Sequence, residues 1–166
     1  MSIVTQFGGE TRNMVSAAFV LGTTSTYTTT VTTSAVFNGV FGTTLAAQTN
    51  TASPTTDATT GAAFVPLAAN QATVLVWGVN AAGAIKLAQG SIVPTETGVT
   101  TTAGAFINAP QFPALPDDFA PIAYNLVRTS PTGSAFTAGT TSWTASGITC
   151  STAKNISVLP DRPKIA

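Results

Sequence analysis

Ala72-Thr73-Val74-Leu75-Val76-Trp77-Gly78-Val79 is the stretch that decides the fold. β-Branched and aromatic side chains dominate it; they suit a pleated surface and lose χ1 freedom in a helix. The run predicts a strand. Asn80-Ala81-Ala82-Gly83 follows as a tight connection. Ala84-Ile85-Lys86-Leu87-Ala88-Gln89 then returns with alternation, Ile85 and Leu87 to one side and Lys86 to the other.

Working outward, Pro121-Ile122-Ala123-Tyr124-Asn125-Leu126-Val127-Arg128 predicts another strand, turned by Ser130-Pro131-Thr132-Gly133 and continued by Ala135-Phe136-Thr137. Residues 148–151 and 155–159 predict short strands, and residues 160–164 an extended tail. Residues 111–118 hold too much proline for a helix or a central strand. Towards the N-terminus, residues 27–37 read as extended chain with Tyr27, Val31, Ala35 and Phe37 on one side. Asn38-Gly39, between Val36-Phe37 and Val40-Phe41, suits the positive φ angles of a type I′ turn and predicts a hairpin. Gly and Pro punctuate the chain so often that helix is limited to one short segment around residues 11–21. The expected fold is mainly β: an antiparallel β-sandwich or barrel-like module with an extended N-terminal arm and little helix. Residues 46–61 read as a Thr/Ala/Asn linker or long surface loop. The expected division is therefore a Thr-rich arm or subdomain over 1–60 and a C-terminal β module with its tail over 61–166.

Composition narrows the function. Thr and Ala fill 32 and 27 of the 166 positions, while charged residues make up 7%, against about 25% in an ordinary domain. Six cations balanced by six acids cannot supply the row of phosphate contacts that nucleic-acid binding needs. Histidine is absent, removing the usual imidazole base and the commonest metal ligand. The single Cys150 forms neither an internal disulfide nor a thiolate cluster, and reads as a reduced, buried small hydrophobe. Asp117-Asp118, adjacent in extended chain, point apart and read as a solvated turn. No metal, cofactor or catalytic residue is therefore expected. The most apolar stretch, residues 62–88, is broken by Pro66, Asn70, Asn80 and Lys86, so no membrane span is expected either. The first nine residues lack the pattern of a secretory signal. A hydroxyl-covered, charge-poor surface on a chain made in the cytosol suits a virion component. Trp77 and Trp143 could stack on sugars, but their apolar neighbours favour core packing, together with Tyr124 and Phe136.

Several segments then carry a resemblance: Val76-Trp77-Gly78-Val79-Asn80-Ala81-Ala82-Gly83, Gln89-Gly90-Ser91-Ile92-Val93, Phe112-Pro113-Ala114-Leu115-Pro116, Pro121-Ile122-Ala123-Tyr124, residues 136–147, and Val158-Leu159-Pro160-Asp161-Arg162-Pro163. Together, over roughly the C-terminal half, the chain resembles small virion structural proteins of tailed bacteriophages, of the head-fibre, decoration or cement type. The resemblance implies a β-rich module, often a homotrimer, that binds the major capsid protein on the capsid exterior where subunits meet. Phe7, Glu10, Arg12, Asp161 and Arg162, on the two ends of the chain, are the expected capsid contacts. A tail-fibre or tail-tube module, and a cell-surface adhesin or carbohydrate-binding module, are the alternative expectations.

Overall fold

The computed structural model describes residues 10–133 and 135–165. Among the described residues, twelve strands form three antiparallel sheets and there is no helix. The largest sheet is built on β7 (Gln71–Asn80) and β10 (Phe119–Thr129), paired from Ala72↔Arg128 to Asn80↔Phe119. β8 (Ile85–Gln89) and β9 (Val93–Pro94) line the outer side of β7; β11 (Ile148–Cys150) and β12 (Lys154–Asn155) line that of β10. The deciding stretch is thus the centre of the molecule, returned by the expected connection over residues 80–83.

β7 is buried on both faces, which is why its sequence is continuously apolar instead of alternating. Leu75, Trp77 and Val79 enter one apolar cluster; Val74 and Val76 enter the other. β10 follows the same period of two except at one place. Its register shifts between Pro121 and Ala123, and Ile122 and Ala123 both fall in the first cluster. A bulge accounts for both facts, and it also houses a proline that a regular central ladder would not accept. Opposite Pro121 sits Gly78, where a Cβ would lie 2.1 Å from the Phe119 ring, so glycine is required there.

The first cluster is closed by the N-terminal sheets. β2 (Phe19–Leu21), β3 (Thr26–Thr29) and β6 (Gln48–Ala52) form one; β1 (Arg12–Asn13), β4 (Ala35–Phe37) and β5 (Val40–Phe41) form the other. Phe19 and Tyr27 bring their rings to 4.6 and 5.6 Å from Trp77, and Trp77 in turn meets Trp143 edge-on at 5.9 Å. Residues from both sides of position 60 therefore share one core, and the mainly-β, sandwich-like class follows from these stacked antiparallel sheets. Among the described residues, no sheet closes into a barrel.

Several local expectations are corrected. The segment allowed as a helix, residues 11–21, holds β1 and β2 instead. Residues 27–37 are not one strand: β3 ends at Thr29, the chain crosses to the other sheet, and Val31 is exposed while Tyr27, Ala35 and Phe37 are buried. In the crossing, the Thr33 hydroxyl donates to the Val31 carbonyl, a local bond that competes with the ladder. The expected linker over 46–61 contains β6, paired with β3. Of residues 155–159, expected as a strand, only Asn155 lies in one, as the second residue of β12; Ile156 donates its N–H to the Ile122 carbonyl, and Leu159 packs on the second cluster. Residues 135–137 contribute a single bridge, Phe136↔Leu67. The Asn38-Gly39 hairpin is as expected, with φ of 49° and 82° at the two turn positions.

Candidate docking surface

The β1-β4-β5 sheet carries the most exposed apolar strand. β4 is buried throughout, but β5 is a two-residue edge whose side chains, Val40 and Phe41, are 69% and 63% exposed. Val36 pairs with Phe41 and Phe37 with Val40, so each residue of β5 shows its side chain on the face of a buried partner. Gly42 then returns its N–H to Ala35, and Thr43 to Ala81, tying the hairpin to the end of the large sheet.

Glu10 and Arg12, expected as contacts, lie beside this hairpin. They form an ion pair of 3.5 Å, the Glu10 carbonyl accepts the Gly39 N–H at 3.4 Å, and Thr11 Oγ1 accepts the Asn38 N–H at 3.3 Å. Phe7 lies outside the described residues. Asp161 and Arg162 are exposed on the tail. That tail is anchored on either side of them: Leu159 packs on the second apolar cluster, while beyond them Pro163 is buried and Lys164 donates its N–H to the Tyr124 hydroxyl at 3.2 Å.

The two ends of the described chain run together. Asn13 donates its N–H to the Ser157 carbonyl at 3.2 Å. The Asn155 amide clasps Phe19 in both directions, accepting its N–H at 2.7 Å and donating to its carbonyl at 3.0 Å. A groove lined by Thr11, Leu115, Pro116, Val158 and Leu159 lies between them. Its rim includes another exposed apolar residue, Val158.

The four residues expected to pack inside do so. Trp77, Phe136 and Tyr124 are within 2% of complete burial and Trp143 is at 3%. The indole N–H of Trp77 donates to Asn125 Oδ1 at 2.8 Å, and that of Trp143 to the Thr26 carbonyl at 2.9 Å. Neither indole offers a face to a sugar. Cys150 is half-buried, and burial pushes its thiol up to about 12. The best-buried carboxylate, Asp57, accepts bonds from the Thr59 N–H, the Gln89 N–H and the Thr60 hydroxyl, holding its own loop against β8. Asp117 and Asp118 are exposed in a turn closed by the Phe119 N–H and the Pro116 carbonyl. Among the described residues, no three His, Cys, Asp or Glu side chains converge as a metal site would require, and no helix is long and apolar enough to cross a membrane.

Sequence reading missed two features. One is the exposure of Val40 and Phe41, which had a visible signal: apolar pairs on both sides of Asn-Gly make both faces of the hairpin apolar. The other is a lobe over residues 95–106, bridged at Thr95↔Phe106 and Val99↔Thr102, with Val99 at its tip 75% exposed. Arg128 holds its base, donating to the Gly104 carbonyl at 2.6 Å with its guanidinium 4.9 Å from the Phe106 ring centre. No protein-family model, curated protein or solved structure matches the chain.

Proposed function

We propose that the chain is a virion structural protein that decorates and stabilises the outside of a tailed-phage capsid, binding the major capsid protein at subunit junctions as a homotrimer. The observation that carries this reading is the exposed edge strand β5, with Val40 and Phe41 in the open beside one surface ion pair. An exposed strand edge is a template for pairing with another chain. An apolar, hydroxyl-rich surround can be buried against protein without stranding charges, whose desolvation is costly. Glu10, Arg12, Asp161 and Arg162 would form the polar rim, with Phe7 a further expected contact. Trp77 and Trp143 are buried and leave no ring free to stack on a sugar, which favours this reading over the carbohydrate-binding alternative. No catalytic role, metal or cofactor enters this reading.

Co-sedimentation with cognate capsids assembled without this protein tests it. Wild-type protein is expected to bind saturably at a fixed ratio to the capsid protein, and Val40→Asp with Phe41→Asp to lose that binding while staying folded. Failure of the wild type to sediment with capsids refutes the proposal.

A further inference from the structure

We propose that Asn38 is a site of spontaneous deamidation, and that its main product undoes the β4–β5 hairpin. The proposal is independent of any capsid partner. Asn38-Gly39 is the one Asn-Gly pair in the sequence, and Asn38 is exposed. Gly39 carries no side chain to shield its backbone nitrogen. Among the described residues, that nitrogen makes a long contact, 3.4 Å, to the Glu10 carbonyl.

The reaction needs only water and mild base. The deprotonated Gly39 nitrogen attacks Asn38 Cγ; the N–Cγ bond forms, the Cγ–Nδ2 bond breaks, and ammonia leaves with the added proton. Water then adds to one of the two succinimide carbonyls, and the ring C–N bond breaks. The product is aspartate, or isoaspartate when the chain is left running through the former side chain.

A closed type I′ turn does not hold Asn38 ready for attack, so the turn has to open first. Opening can stay local to the turn. β5 has two residues, both with exposed side chains, and the contacts of Asn38 with Thr11 and of Gly39 with Glu10 are long, 3.3 and 3.4 Å, so peeling β5 from β4 gives up backbone hydrogen bonds and little side-chain burial of β5 itself, while the Thr43–Ala81 bond can keep the base of the hairpin in place. The other asparagines are less suited. Asn50 and Asn108 are exposed but precede Thr51 and Ala109; Asn70 and Asn80 are half-buried, precede Gln71 and Ala81, and accept the Gly98 and Ala84 N–H groups through their side-chain oxygens; Asn13 and Asn125 are buried; the Asn155 amide is held by Phe19. Aspartate at position 38 leaves an Asp-Gly turn, which the hairpin accepts. Isoaspartate lengthens the backbone by one carbon and breaks the Phe37↔Val40 register.

The test is to age the purified full chain in mildly alkaline buffer and follow it by peptide mass spectrometry, with hydrogen exchange on the same samples. The Asn-to-Asp mass increase is expected at Asn38 several-fold faster than at Asn50 or Asn108, mostly as isoaspartate. The aged fraction is expected to lose amide protection at Phe37 and Val40, whereas fresh Asn38→Asp protein keeps it. Asn38 ageing no faster than Asn50 or Asn108 overturns the site. Aged, modified protein that retains hairpin protection overturns the consequence.

Discussion

Trp77 shows how much one side chain can settle. Its ring lies at the meeting point of Phe19, Tyr27 and Trp143, and its N–H is satisfied inside the core by Asn125. Trp77→Ala therefore leaves a large cavity and an amide oxygen without its donor. Deleting a buried Trp costs about 3–5 kcal/mol, and denaturant melts are expected to show a loss of that size. Cys150 gives a second expectation at this scale. Its thiol is raised from an ordinary 9.0 to about 12 by burial, so the folded state disfavours the thiolate. The associated stability is fully present below about pH 9 and is lost as pH rises towards 12. Reaction with a thiol reagent at pH 8 is expected to be slower than for the unfolded chain, and stability of the wild type to fall over pH 9–12 more than that of Cys150→Ala.

At the scale of elements, the two N-terminal sheets differ in how they are attached. β2 is joined to β12 through the Asn155 side chain, which substitutes for a strand-to-strand ladder. Asn155→Ala leaves both Phe19 backbone groups without that partner, and part-buried groups so orphaned cost about 1–3 kcal/mol; thermal melts are expected to show this loss. β5, by contrast, contributes little buried surface. Val40→Ser with Phe41→Ser is expected to change stability by no more than about 0.5 kcal/mol, measured in the same melts. Legibility in the sequence divides along the same line. Strands β7, β8 and β10 and the Asn-Gly turn are readable because their information is local: β-branched runs, alternation after a tight turn, positive-φ residues. The split at residues 30–34 and the strand within 46–61 are not readable. Thr is equally at home facing water, facing the core as Thr29 and Thr33 do, or bonding to neighbouring backbone, so a Thr-rich stretch carries no period. The proposed contacts Glu10, Arg12, Asp161 and Arg162 are legible only as charges near the two ends; that Val40 and Phe41 stay open depends on what covers β4, which no local pattern specifies.

The described residues form two apolar clusters on either face of one central sheet, with an exposed edge hairpin and with the segments at Asn13 and Ser157 joined by a hydrogen bond. Such a body presents few ionisable groups and several uncharged protrusions, Val40-Phe41 and Val99 among them. In solution the proposed homotrimer is expected to appear as a single species at three chain masses by light scattering. The central claim is that this surface exists to hold capsid subunits together, and a ligand that binds only the assembled state raises its melting temperature by mass action. The most direct measurement is therefore the melting temperature of undecorated capsids with and without saturating protein. A rise with the wild type that is absent with Val40→Asp and Phe41→Asp is the predicted result; an unchanged melting temperature with the wild type would contradict the account.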